Sequence, residues 1–390
     1  MLKLADSVIE TFHDSDADLC PGGAEAQVDS PVRVFEDQNH VIHLTTSDPQ
    51  GRGWQWTGSV TGFTNNPKTA TLDCTSIMNG YTGNNDPAAF DQKTFIQGFY
   101  FDNPTVYAYG HEDYYGTRTL ETGCHNHRVT PDDGLPRCWY SAIAVWKATV
   151  PATGTHLDFA KDGDGTRGDH VAIFPHVRYP GHPATPTAGW IGYGTPSNIV
   201  RGRRPDGTLD GYWYMFAYTN SGYAQQSKGV CLFRSDDPTD RTSWNGNPTA
   251  PAFTQHLVDP YTGTNTPCAV VNATQFTSYV RSVQWHKPSR HYIAVFRDGA
   301  GIRYDTSTDL LTWNDSLPLL TATRDEGDYP VIVDFDGGDW GDDNFDRIHD
   351  NGRSYLFYRK SFEAGHTRIT RRLIEVTNYA ADPPGSGNPG

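Results

Sequence analysis

DSPVRVF (residues 29–35) stands near the beginning of the chain and DYPVIVDF (residues 328–335) near its end. Both read Asp-x-Pro-Val-x-Val, with an aspartate leading. The same six-residue pattern at both ends predicts two equivalent inner strands of a closed ring of sheets. On that reading Asp29 and Asp328 point into one shared funnel.

The rest of the chain supplies the other copies. Aromatic-rich segments of alternating polarity recur as HVIHLTTSD (40–48), TVYAYGHED (105–113), GYWYMFAYT (211–219), HYIAVFRDG (291–299) and SYLFYRKSF (354–362). Their period-2 pattern and β-branched or aromatic content read as half-buried strands. Upstream of each lies a shorter partner: DSPVRVF, FIQGFYF (95–101), TPSNIV (195–200), VRSVQW (280–285) and YPVIVDF (329–335). Turn residues separate the partners, as in EDQN, RRPDGTLD and KPSR. Further strands follow in AIAVWKA (142–148), GVCLFRSDDPTDRTSW (229–244) and GIRYDTSTDLLTW (301–313), the last two sharing a Ser/Thr-x-Asp…Trp ending. Five such units predict an all-β, five-bladed β-propeller, a single domain over 1–380 with a flexible tail at 381–390. A β-sandwich would not produce five matched strand pairs. SVIETF (7–12) is expected to add a strand to the last blade and close the ring.

Composition agrees. The chain holds 39 Gly and 26 Pro among 390 residues, which suits short strands joined by loops, and 13% aromatics offset a hydrophobic content of only 36%. A formal charge of −15 argues against nucleic acid and for neutral or cationic partners. No apolar run is long enough for a membrane span. MLKLADSVIETF lacks the apolar centre of a secretory signal, so the chain reads as a mature form of a secreted or periplasmic protein. Its six cysteines show no CxxC spacing, which speaks for disulfides over zinc, and Cys124–Cys138 would close a compact polar loop. KDGDGTRGD (161–169) and DFDGGDWGDDNFD (334–346) have oxygen ligands at calcium-like spacing, compatible with structural calcium, although acidic surface loops explain them as well. No cofactor is required.

In a propeller the inner strands run parallel around the channel, so residues that start them ring one mouth. The second strand of each blade returns to the same mouth. In blade two that return is GHEDYYG (110–116), which brings His111, Glu112 and Asp113 to the face holding Asp29. Alternation sends Glu112 and Asp113 to opposite sides, so one of them faces the channel. Asp48, Ser221, Arg297 and Arg359 fall at or near matching ends elsewhere. Carboxylates crowded in a concave site raise one another's pKa and can divide acid and base work between them, as glycosidic bond cleavage requires. Trp54, Trp139, Tyr140, Trp213 and Tyr329 are candidate sugar platforms.

These motifs resemble the five-bladed propeller glycoside hydrolases, the family 43-like arabinanases, furanosidases, xylosidases and related bacterial propellers. The resemblance covers most of 25–376 and implies that Asp29 is base or nucleophile. VYAYGHEDYYG followed by CWYSAIAVW also looks like a His-Asn-Glu-Tyr segment ahead of Cys-Trp-Tyr in some of those bacterial relatives. On that pattern His111 and Tyr114 match and Asp113 takes the acidic place. Blade three departs from it: GTPSNIV has Gly194 where relatives often carry Asp. The resulting expectation is a glycosidase acting on a polysaccharide or oligosaccharide of arabinan or furanoside type. Asp113 or Glu112 is the acid, Asp328 and His111 set charge and orientation, and Asn198, Arg281, Tyr329 and Trp139 lie near the sugar. The alternatives are a lectin-like propeller, a sialidase-like hydrolase suggested by STDLLTW, and a lyase using His111 with a tyrosine.

Overall fold

A computed structural model describes residues 2–5, 9–65, 69–116, 139–180, 190–219, 225–248, 252–276, 278–335, 344–349, 353–362 and 365–377. Their strands form five separate sheets of four to six strands. Blade one is Arg33–Glu36, Ile42–Ser47, Arg52–Gly58 and Thr71–Asn79 in hydrogen-bonded order. The others begin with inner strands Lys93–Asp102, Val200–Arg203, Val280–His286 and Asp328–Asp334, each paired antiparallel with the strand that follows its turn. This is the five-bladed propeller expected from the repeats.

What holds radial sheets together is the wedge of space between neighbours, and large side chains fill it. Phe35, Ile77, Phe99 and Trp146 pack blade one against two. Tyr109, Ile143, Met215 and Phe233 pack two against three. Phe216, Trp285, Phe296 and Trp313 lie between three and four, and Val295, Tyr304, Ile332 and Leu356 between four and five. Trp56, Phe63, Val331 and Phe357 complete the circle from five to one. Five interfaces for five blades mean that the ring is closed. The aromatic content noted in the sequence is spent here, because each buried ring removes roughly 150–250 Å² from water.

Closure is made by the N-terminus. Glu10–Asp14 pairs antiparallel with Thr367–Val376 of blade five, as does Leu2–Leu4. The expected strand therefore forms, shifted toward residues 10–14. A disulfide from Cys20 to Cys74 then fastens the N-terminal segment to the outer strand of blade one, and Cys231–Cys268 staples blade three. The expected Cys124–Cys138 bridge and the 381–390 tail lie outside the described residues, as does Ser221. The shared Ser-x-Asp ending is a turn: the Asp237 and Asp309 amides bond to the Ser235 and Ser307 hydroxyls, and Trp244 and Trp313 are buried beneath.

Inner strands have one edge facing the channel, where backbone groups lack a neighbouring strand. Side chains from adjacent blades satisfy some of them. The Ile96 amide donates to Ser47 Oγ and the Ile332 amide to Ser282 Oγ, at 2.9 and 3.2 Å. Asn198 bonds Val283 in both directions at 2.7 Å, joining blade three to blade four. Asn198 was expected beside the sugar. In the structure it ties two blades together, beside Gln284 and Phe345, and is not among the residues lining the cavity at the funnel mouth.

Candidate active site at the funnel mouth

The two motif aspartates meet. Asp29 is set by its own amide, which donates to Ser47 O at 2.7 Å, and Asp328 by pairing opposite Arg359 after a break in register before Val331. Such bulges re-aim the side chains next to them. Arg359 Nη1 lies 2.8 Å from Asp29 Oδ1 and Nη2 lies 3.2 Å from Asp328 Oδ2, so one guanidinium spans both carboxylates. In the DxPVxV register Arg359 corresponds to Asp48 of blade one. Asp48 is spent on Arg52, Trp54 and backbone amides of its own hairpin.

Between them sits Tyr329. Its φ is +53°, in the left-handed region that β-substituted residues avoid, and Thr195 takes φ +47° at the matching position of blade three. Such a residue costs about 1–3 kcal/mol and persists where surrounding contacts hold it. Here the twist places the phenol against Asp29, with Tyr329 OH donating to Asp29 Oδ1 at 3.1 Å. The ring lies under two guanidinium groups, Arg281 at 4.7 Å and Arg359 at 4.6 Å.

The environments push the two carboxyls apart. Burial raises Asp29 above the ordinary aspartate value, against Arg359, Tyr329 and Lys93, which favour its charged form. Burial acts the same way on Asp328, but Arg281, Arg359 and Arg324 outweigh it and hold that carboxyl below the usual range. Asp29 keeps 32% of its side-chain surface exposed, whereas Asp328 keeps 8%. Asp29 Oδ1 takes both donors, and among the described residues Oδ2 has none. A clamped carboxylate with one open oxygen and raised basicity is suited to accept a proton or attack a carbon.

Blade two divides its pair as alternation requires. Glu112 turns into the blade, where Oε1 accepts from the Gln92 and Lys93 amides at 2.6 and 2.9 Å and Oε2 from the Thr94 hydroxyl. Burial raises it to about 8, which favours its neutral form, but it is enclosed by backbone and holds the start of the inner strand. Asp113 faces the other side with His111. Its Oδ1 lies 2.8 Å from His111 Nε2 and accepts from Ser141 Oγ at 2.6 Å, while Oδ2 accepts from Tyr115 OH at 2.7 Å. Burial opposes ionisation of Asp113, yet His111, Ser141 and Tyr115 prevail and hold it below the usual range. The charges of Asp113 and Asp328 both act on the Tyr279 phenol, which ties the blade-two acid to the same mouth. Lys93, next to Asp113 in the ladder, likewise acts on Asp29.

A cavity of about 350 Å³ opens at this mouth, lined among others by Trp139, Tyr279, Arg281, Arg324 and Asp328. Of the aromatic candidates, Trp139 and Tyr329 belong here. Trp54, Tyr140 and Trp213 are buried and pack within and between blades. Tyr114 is likewise buried, in a satellite cluster with Phe90 and Tyr140. Arg324, Lys93, Tyr279, Tyr115 and Ser141 were not singled out in the sequence. The last two could have been found from strand alternation, since they flank Asp113 on the same side of its ladder.

Among the described residues no group of three or more potential metal ligands gathers. In the 161–169 segment Asp169 accepts from the Gly165 and Thr166 amides and Asp164 from Thr166, which is how an acidic turn satisfies itself. Most of the 334–346 segment lies outside the described residues.

No family model matches the chain, and no curated protein sequence matches it significantly. Solved structures of similar chain path include a GH43_1 enzyme from Xanthomonas citri, at 11% identity and TM-score 0.48, over 96% of this chain and 93% of that one. Another is a family 117 glycoside hydrolase from the marine bacterium Zobellia galactanivorans, at 10% identity and TM-score 0.46, over 90% and 87%. An α-L-arabinanase from Cellvibrio cellulosa aligns at 12% identity and TM-score 0.41, over 88% and 96%.

Proposed function

We propose that the protein is a glycoside hydrolase whose active site is the funnel mouth. The observation that carries this is Asp29: a partly exposed carboxylate, clamped through Oδ1 by Arg359 and Tyr329 and open at Oδ2, beside a second aspartate held ionised. In this reading Asp29 works at the anomeric carbon, as base toward an attacking water or as nucleophile. As the bond from that carbon to the leaving oxygen breaks, the oxygen takes a proton from the His111–Asp113 pair. Asp113, held ionised, serves that pair by orienting His111. This moves the proton-donating role from Asp113 alone to the pair, because a carboxylate surrounded by donors keeps no proton at neutral pH. Asp328 and Arg359 are positioning residues that fix the plane and charge of Asp29. Trp139 and Tyr279 offer faces for a sugar ring. The arabinan or furanoside preference remains part of the proposal, as do secretion and the absence of a required cofactor.

A binding-only propeller is the second reading, and one observation favours it: His111 and Asp113 keep only 7% and 3% of their side-chain surface exposed. Product release from a panel of polysaccharides by wild type and by Asp29→Asn separates the two. Release by wild type that falls at least about a hundredfold in Asp29→Asn, as expected for loss of an acid–base group, supports the hydrolase. Retained glycan binding with no release by either protein refutes it.

A further inference from the structure

The formal charge of −15 predicts that the protein repels anions, but the funnel mouth has the opposite sign. Arg281 is 5% exposed. Its guanidinium lies between the rings of Tyr279 and Tyr329, at 4.4 and 4.7 Å, and its side-chain hydrogen bond is a long one, 3.5 Å to Gln97 Oε1. Among the described residues no carboxylate lies within ion-pair reach of it. Directly beneath, Arg33 is buried and bonds to the carbonyls of Gln97, Val32 and Arg281, again without a carboxylate. Arg297, on the cavity wall, spends its donors on the carbonyls of Gly327, Asp298 and Ala322. The carboxylates near this group are Asp328, which is shared by Arg359 and Arg324 and also acts on Arg281; Asp29, also on Arg359; and Asp298, on the same cavity wall but paired with Arg303.

One carboxylate, Asp328, thus answers to Arg281, Arg359 and Arg324 together, and buried cations short of counter-charge are costly unless something else supplies the negative charge. Arg324 shows where that charge would sit. It stands at the rim with 75% of its side chain exposed, and only Nε is engaged, 3.3 Å from Asp328 Oδ2. Its two terminal nitrogens have no protein partner among the described residues, and they form the planar fork that matches a carboxylate or sulfate. Trp139 and Tyr279 wall the same cavity.

We propose that this mouth takes a saccharide carrying an anionic group, a uronate carboxylate or a sulfate ester, seated against Arg324 and Arg281 with its ring against Trp139 or Tyr279. The proposal rests on the hydrolase reading for its saccharide and on the arginines for its charge. Calorimetric titration of Asp29→Asn, chosen to suppress turnover, with neutral arabino-oligosaccharides, oligouronates and sulfated galacto-oligosaccharides of equal length tests it. One anionic series is expected to bind at least about tenfold tighter than the neutral one, the scale of a single charge-assisted contact, and which series does so identifies the group. Adding Arg324→Gln, a change at an exposed side chain, is expected to remove that preference while neutral binding changes little. Equal affinity for neutral and anionic series, no binding of any, or a preference that survives Arg324→Gln overturns the proposal. Tight anionic binding without hydrolysis by wild type leaves this inference standing and removes the hydrolase. Hydrolysis of neutral glycans with no anionic preference does the reverse.

Discussion

Asp29 and Asp328 hold the same place in two blades, share one arginine, and should respond oppositely to the same substitution. Asp328→Asn removes the charge that faces Arg359 at 3.2 Å and Arg324 at 3.3 Å and that also compensates Arg281. Arg324 is three-quarters exposed and loses little. Arg281 and Arg359 are almost wholly enclosed, and stripping a partner from buried charges costs about 3–5 kcal/mol. An asparagine oxygen that still accepts one hydrogen bond returns about 1 kcal/mol, so a net loss of about 2–4 kcal/mol is expected at pH 7. Asp29→Asn gives up the 2.8 Å contact to Arg359 but also removes a charge that burial disfavours, and Arg359 keeps Asp328. Its net effect should lie within about 1 kcal/mol of zero, the size of an exposed pair.

The pH dependence fixes the signs. Asp328 is depressed in the folded state, so its contribution is present above the unfolded value near 3.8 and is lost as pH falls through the lower folded value. The deficit of Asp328→Asn should therefore be full at pH 7 and close below about pH 4, a window that follows from that same linkage. Asp29 is raised, so its cost appears only as pH climbs from 3.8 through the folded value, and Asp29→Asn should gain on wild type over that rise. Urea unfolding of the three proteins from pH 7 down to pH 3 measures this. Equal destabilisation by both substitutions, or an Asp328→Asn deficit that persists unchanged at the lowest pH, would refute the charge assignment.

Tyr329→Phe removes the hydroxyl from Asp29 but keeps the ring beneath Arg281 and Arg359. Loss of a donor to the charged form should move the acid limb of the pH–rate profile to higher pH; an unmoved limb with unchanged kcat would show that the contact does not tune the base. Glu112, raised to about 8, should make wild-type stability decline as pH climbs from about 4.5 to 8, because the unfolded chain ionises first. Glu112→Gln should flatten that decline in denaturation midpoints without abolishing glycan hydrolysis, and a steep decline in the variant would place the dependence elsewhere.

The sequence told a good deal about position in the ring and little about depth and direction. The proline in DSPV and DYPV aligned two distant aspartates because a repeat keeps its register, and Arg359 could be placed at the same mouth from the returning strand. Alternation correctly separated Glu112 from Asp113. The Tyr329 twist could not be read, since nothing in Asp-Tyr-Pro distinguishes it from the Asp-Ser-Pro of blade one, where Ser30 does not take a positive φ; in the fold, Tyr329 is held by contacts with Arg281, Arg359 and Asp29. The inter-blade tie made by Asn198 could not be read for a related reason. An inner strand crosses the whole channel, and composition does not say at which level a polar side chain meets a neighbour's backbone.

The same blindness hid part of the cationic lining: Arg281 and Arg359 were placed near the mouth, but Arg33 and Arg324 were not. Arg33, Arg281, Arg324 and Arg359 come from blades one, four and five, and none stands in a basic run. Net charge averaged them into an acidic total, which suggested neutral or cationic partners. A funnel with low-dielectric walls, however, responds to the charges that line it far more than to those on the outer strands. The acidic exterior and cationic mouth therefore act on different length scales. Beyond a Debye length of about 8 Å the exterior is screened at physiological salt, while a ligand inside the cavity meets the buried Arg281 with far less of that screening. It follows that salt should weaken anionic ligand binding less steeply than a count of arginines suggests, because Asp29 and Asp328 already neutralise part of the group.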